Sequence, residues 1–249
     1  AGVVQASGSC VVNTSKVHIK GRSGATNNAI LDGLRGEAGI IFTDKTDAEV
    51  TYAGQVVPTS TGYNLGVWAT VNQNLATYIA YQTLYTHIKW GVTSQGKFQI
   101  EAYNPVTREG MIYYLGSGVA LHEISHSQGV EIDYKLVKNL SSAADWVAGV
   151  ESLGGGYLAL STTAAFVPQV NGWYPSESNN TEVIVTGANN LADNTLNSEY
   201  IVYYKCKSET FTIGTYTGTG AAGNFVETKD SNGVARRPAR VILKLISGP

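Results

Sequence analysis

Charge is scarce in this 249-residue chain: Asp, Glu, Lys and Arg together make up 14% of it, where about a quarter is usual. The net charge of −2 offers no electrostatic footing for nucleic acid or for an anionic membrane, since both call for clustered Lys and Arg. The Arg236–Arg237 pair is too short a cluster to serve. No apolar run approaches the ~20 residues that cross a bilayer as a helix, so membrane insertion is not expected. The opening residues, AGVVQASGSC, lack the charged-then-apolar order of a secretory signal. Cysteine is down to Cys10 and Cys206, far apart and without metal-ligand spacing. Their separation in sequence leaves a disulfide between them open.

Against those shortages stand 28 Gly and 15 Tyr, with abundant Ser, Thr, Val and Ile. β-Branched and aromatic side chains pack well on a pleated, half-buried surface, and Gly, Asn and Ser supply the turns between strands. Alternation of polar and apolar residues in Thr181-Glu-Val-Ile-Val-Thr and in Phe211-Thr-Ile-Gly-Thr-Tyr is that of strands. The only hint of helix is a turn over Ala143–Gly149. The composition therefore predicts an all-β fold, an antiparallel sandwich or jelly-roll-like arrangement.

The chain also repeats itself. Val17-His-Ile-Lys20 is echoed by Leu136-Val-Lys138, aligning Lys20 with Lys138, and again by Val241-Ile-Leu-Lys244. Gly39-Ile-Ile-Phe is followed in the second copy by Gly156-Tyr-Leu-Ala. Tyr78-Ile-Ala-Tyr81, reached from an Asn-bearing turn, matches Tyr200-Ile-Val-Tyr203, and Phe98–Tyr103 matches Phe211–Tyr216. Four elements kept in one order imply two diverged copies and the opening of a third. The expected layout is a first β repeat over residues 1–104, a second over 105–210, and a partial third over 211–249. Strands of the third are expected to complete a sheet opened earlier, because an unpaired edge strand invites aggregation.

His126-Ser-Gln-Gly-Val, Tyr134-Lys-Leu-Val-Lys-Asn, Asp145-Trp-Val, Gly156-Tyr-Leu-Ala-Leu-Ser-Thr-Thr and Tyr200-Ile-Val-Tyr together resemble a repeated β domain of phage tail-fibre-like virion proteins of the marine and cyanobacterial type. Gly129-Val-Glu-Ile-Asp stands where that pattern usually has Gly-Val-x-Pro, a departure confined to the local turn. The resemblance implies a location on the exposed surface of a virion, tail or capsid exterior. It implies a role as tail fibre or receptor-binding module, or alternatively as a capsid decoration or filament-forming protein. The partners it implies are other copies of the chain, with a trimer as one form, other virion proteins and a host-surface glycan.

One string points elsewhere. His122-Glu-Ile-Ser-His126 satisfies the HExxH zinc-protease pattern, in which two His four apart on a helix share a zinc and the Glu activates its water. The extended form of that pattern needs a third ligand at position 132, where Ile132 stands, with Asp133 one place late. The single methionine, Met111, lies upstream of the string rather than after it. Gly116, Gly118 and Gly129 bracket the string, and Ser125 and Ser127 are indifferent helix formers. In the third echo the equivalent stretch is Asp230-Ser-Asn-Gly-Val, with no His or Glu at those places. The match is therefore read as a coincidence: no metal, no cofactor and no catalytic residues are assigned, and a polar or short helical turn is expected in which His122 and His126 satisfy nearby backbone groups. Trp173-Tyr174-Pro175, read as a turn, supplies the best candidates for a flat surface against sugar rings, Trp173 and Tyr174.

Overall fold

The structure is a computed structural model. It describes residues 9–23, 26–36, 38–52, 56–59, 62–67, 69–72, 75–150, 153, 156–162, 164–168, 183–186, 192–209, 211–223, 225–230 and 232–238. Four strands open the chain, β1 (Ser9–Gly21), β2 (Ala29–Asp32), β3 (Gly39–Phe42) and β4 (Val50–Thr51). They are followed by a hairpin of β5 (Val56–Thr59) and β6 (Gly62–Leu65) and a four-residue helix α1 (Ala69–Asn72). Long β7 (Tyr78–Val92), β8 (Phe98–Asn104) and β9 (Glu109–Leu115) form the middle of the chain. The second half holds β10 (His122–Ser125), β11 (Ile132–Asn139), β12 (Val147–Val150), β13 (Gly156–Ala159), β14 (Val167–Pro168), β15 (Val183–Thr186) and β16 (Glu199–Cys206). The fold is all-β and antiparallel throughout, as the composition predicts. The turn expected over Ala143–Gly149 is instead extended chain leading into β12.

Twelve strands make one sheet in the order β14-β13-β12-β11-β16-β9-β8-β7-β1-β2-β3-β4. The order is a palindrome about the β8–β9 hairpin. Each half contributes a Lys-bearing strand, three strands stacked outward from it, and a Tyr-Ile-x-Tyr strand on its inner side. The registers agree residue for residue. Lys20 lies opposite Ile79 and Lys138 opposite Ile201; Ile41 pairs with Ile30 and Leu158 with Ala148; Val50 pairs with Ile40 and Val167 with Tyr157. The echo seen in sequence is thus the same pairing made twice.

The lysines show why they recur. Lys20 Nζ donates to the carbonyl of Thr26 at 2.5 Å, and Lys138 Nζ donates to that of Ala144 at 2.6 Å, six residues on in both cases. Each ammonium pins the loop that leads from the Lys strand to the next. Lys138 also donates to Thr46 O in the first half at 2.8 Å.

Alternation along the strands gives each half a core on one face. Val17, Ile19, Ala29 and Ile40 are buried together in the first half, and Val137, Val147, Tyr200 and Val202 in the second. The opposite face is shared. Ile30 and Ile41 lie in one cluster with Trp146, Ile201 and Tyr203, although four strands separate β2 from β16 in the sheet. The sheet therefore curls over itself, and the sandwich-like packing comes from one continuous sheet whose outer strands fold onto its far half. Trp146 Nε1 donates to Phe42 O across this contact at 2.6 Å.

A buried ion cluster fastens the same contact. Arg35 reaches Asp32 at 2.8 Å and Glu49 at 2.6 Å, and Tyr203 OH donates to Asp32 at 2.6 Å. Asp32 and Arg35 are both buried at their side chains, so their partners stand in for water, Asp32 and Glu49 for Arg35, and Arg35 and Tyr203 for Asp32.

The segment expected to complete the sheet does otherwise among the described residues. Phe211 makes an isolated bridge with Ser208, and Lys229 with Ala235, but no residue described after Cys206 joins the sheet. The reason lies in β16. In the first half β7 has β1 on one side and β8 on the other, whereas β16 is flanked by β11 and β9. β9 holds the place that Phe211–Tyr216 would need. The third echo, Val241–Lys244, lies outside the described residues.

Candidate functional site

The stretch carrying HExxH is a strand. His122–Ser125 forms β10, paired antiparallel with β15, and the two make a ribbon apart from the main sheet. Side chains on a strand alternate, and four residues span about 13 Å. His122 and His126 therefore cannot converge as they would on one turn of helix, and Glu123 points away from both. The expected turn is corrected to an extended ribbon, because the side chains of Ser94, Gln99 and Glu101, with the Ser94 N–H, offer it a ladder of partners. Glu123 N donates to Ser94 Oγ at 2.9 Å, and its carbonyl accepts from Ser94 N at 3.0 Å. The Gln99 amide brackets Ser125, accepting from its N–H at 3.1 Å and donating to its carbonyl at 2.9 Å. Glu101 accepts from Ser127 N at 3.0 Å and from Ser127 Oγ at 2.6 Å.

Each histidine has its own surroundings. His122 is fully buried, its Nδ1 3.0 Å from Asn194 Oδ1. Asn194 Nδ2 donates to Val119 O at 2.7 Å, which makes Oδ1 the acceptor and places the His122 proton on Nδ1. The same Oδ1 accepts from Ser117 N at 2.7 Å. Burial lowers the proton affinity of His122, against the pull of the Asn194 bond. His126 is 3% exposed and lies against the Tyr204 ring, 5.5 Å between centres.

Asn194 is the hub that holds the loop before β10. Gly118, at φ 72°, gives that loop its left-handed turn. At Gly116 a Cβ would fall 2.2 Å from Thr195 O, so no side chain fits. Next to the hub, Tyr114 OH donates to Asp193 O at 2.5 Å, and Tyr200 OH accepts from Thr195 N and from Asn139 Nδ2 at 2.8 and 3.2 Å.

Lys135 lies in the same half of the molecule, on the face of β11 that Val137 also occupies, and is 1% exposed. Burial drives its ammonium down to about 7, against the raising effect of the Asp193 carboxylate. Glu101 is held up by burial while Ser127 and Tyr204 pull it down, and Tyr204 OH donates to it. Cys206 is a free, buried thiol pushed up to about 12, chiefly by burial. The disulfide left open by the sequence is therefore not made by Cys206.

What the arrangement can do follows from where its polar groups point. Asn194, Gln99 and Glu101 spend their capacity on backbone and side chains of the β10 segment, the way structural polar groups do in an interior. Among the described residues no three His, Cys, Asp or Glu side chains gather as a metal site. Trp173 and Tyr174 lie outside the described residues. Sequence reasoning missed Asn194 and Lys135. Lys135 was signalled, since it stands two residues from Val137 and so shares its inward face, while Asn194 carried no mark distinguishing it from the other turn asparagines.

A family model described as a domain of unknown function, DUF7483, matches residues 2–248. The chain belongs to this family. No curated protein and no solved structure matches it. The family spans both halves of the palindromic sheet together with the segment beyond β16, so its unit is the whole arrangement rather than one copy of the repeat.

Proposed function

We propose that this chain is a virion structural protein of the phage tail-fibre or receptor-binding kind, acting by adhesion through loops on a rigid β scaffold. The observation that carries the reading is the duplicated sheet: one strand arrangement built twice, with the backbone of the HExxH segment tied into the scaffold as a strand. Structural proteins gain from this design, because a repeated unit adds surface and loops without a new core, and weak loop contacts gain by multivalency. The similarity of Tyr134–Asn139 and Tyr200–Tyr203 to repeated tail-fibre-like domains supports the same reading. Host-surface glycan is the ligand class it entails, with other virion proteins as neighbours.

A capsid decoration or filament-forming role is the second reading, favoured by the uncharged strand edge described below, unpaired among the described residues, which suits subunit contacts rather than host ligands. Labelling the chain on particles and imaging them separates the two, since gold on fibres supports the first and gold over the shell the second. The zinc-protease reading has its own test. Elemental analysis of the purified chain is expected to find no stoichiometric zinc, and zinc that disappears in His122→Ala would revive it.

A further inference from the structure

The two inner strands, β7 and β16, occupy matched places but differ in what borders them. In β16, Ile201 lies opposite Lys138 on one side and Tyr113 on the other, and Tyr203 opposite Leu136 and Met111. In β7 the side facing β1 is paired along Tyr78–Lys89, while β8 pairs only with His87–Val92. Along Ile79–Leu84 no strand among the described residues lies on that second side. The carbonyl of Leu84 faces it, accepting from Asn104 Nδ2 at 3.0 Å, so by alternation the N–H and C=O of Ala80 and Gln82 face it too.

The side chains tell the same story. Ile201 and Tyr203 are 0% and 4% exposed, whereas the matched Ile79 and Tyr81 are 62% and 43% exposed, and Leu84 is 59% exposed. Folded proteins blunt a bare edge with Lys, Pro, a bulge or a covering loop. The run Thr77-Tyr-Ile-Ala-Tyr-Gln-Thr-Leu-Tyr-Thr86 contains no charge and no proline. The matched edge of β16 shows what such an edge takes, an antiparallel strand.

We propose that the Ile79–Gln82 edge of β7 is an interaction surface that pairs with the same edge of a second copy of this chain, antiparallel, about a two-fold axis through Ala80. An antiparallel strand edge is complementary to itself, and this one carries no charge to repel its copy. With Ala80 opposite Ala80 of the other copy, Tyr78 meets Gln82, and Ile79 of each chain lies directly across from Tyr81 of the other. Those are aromatic and β-branched cross-strand pairs on one face, a favourable combination. The pairing is isologous and closes at two copies. It holds whether or not the chain resides in a virus particle.

The test is sedimentation velocity of the full chain over two decades of concentration, with two variants. The wild type is expected to form a reversible dimer. Ala80→Lys sets like charges across the axis and is expected to weaken dimerisation by about tenfold or more, with the far-UV circular dichroism spectrum unchanged because the Ala80 backbone faces away from β1. Mixing Ala80→Lys with Ala80→Glu should restore the dimer. A wild type that stays monomeric throughout, or a dimer untouched by Ala80→Lys, would overturn the proposal. So would an Ala80→Lys and Ala80→Glu mixture that fails to pair while both variants remain folded.

Discussion

Lys135 sits buried in an environment far from the ordinary habit of an ammonium. An ammonium without water is costly, and the fold meets that cost by letting the proton go near pH 7. The folded form binds that proton less tightly than the unfolded chain, whose Lys titrates near 10.4. Between those values the unfolded state holds more protons, so Lys135 destabilises the fold at pH 7 and does so less as pH rises. Lys135→Met should therefore be more stable than the wild type at pH 7. Its advantage in urea unfolding should shrink by about 1.4 kcal/mol per pH unit between pH 7 and 9. An advantage that stays constant with pH would mean that the ammonium keeps its proton inside the fold. Gly116 gives a second residue-scale expectation. Gly116→Ala forces a Cβ toward Thr195 O and should cost about 2 kcal/mol, read as a fall in the denaturation midpoint.

At the scale of elements, the clasp between the first four strands and β16 rests on Asp32. Removing its carboxylate leaves the Arg35 guanidinium buried with Glu49 as its remaining acidic partner. Asp32→Ala should therefore cost about 3 to 5 kcal/mol, and Tyr203→Phe, which deletes one hydrogen bond, about 1 kcal/mol. Equal losses from the two would show that the ion pair adds nothing beyond the tyrosine contact. The strands themselves were legible in the sequence: Lys20 with Lys138, Gly39 with Gly156 and Tyr78 with Tyr200 fix the registers of both halves. β10 was not. His122-Glu-Ile-Ser-His126 is too short for its periodicity to choose between helix and strand, and what decides it is the row of Ser94, Gln99 and Glu101 from other elements. The fate of Phe211–Tyr216 was equally hidden, because it depends on β9 having taken the side of β16 that the local pattern alone leaves open.

For the whole molecule, the duplication explains both the strength and the exposure of the design. Two cores of the same pattern and one shared core make a single body in which the sheet packs on itself. Matched positions on β7 and β16 differ in cover, which leaves the edge at Ala80 without a paired strand among the described residues. The particle role proposed above calls for such a body with surfaces for neighbours. The HExxH strand keeps His122 and His126 apart, so the two do not share a metal as they would on one turn of helix. The central proposal, a place on the exterior of a virus particle, is tested most directly by gold-labelled antibody against this chain on purified, intact phage particles from a culture that produces it. The account predicts label on the outside of the particles, in stoichiometric amounts by mass spectrometry of the same preparation. Particles that carry none of the chain would contradict it.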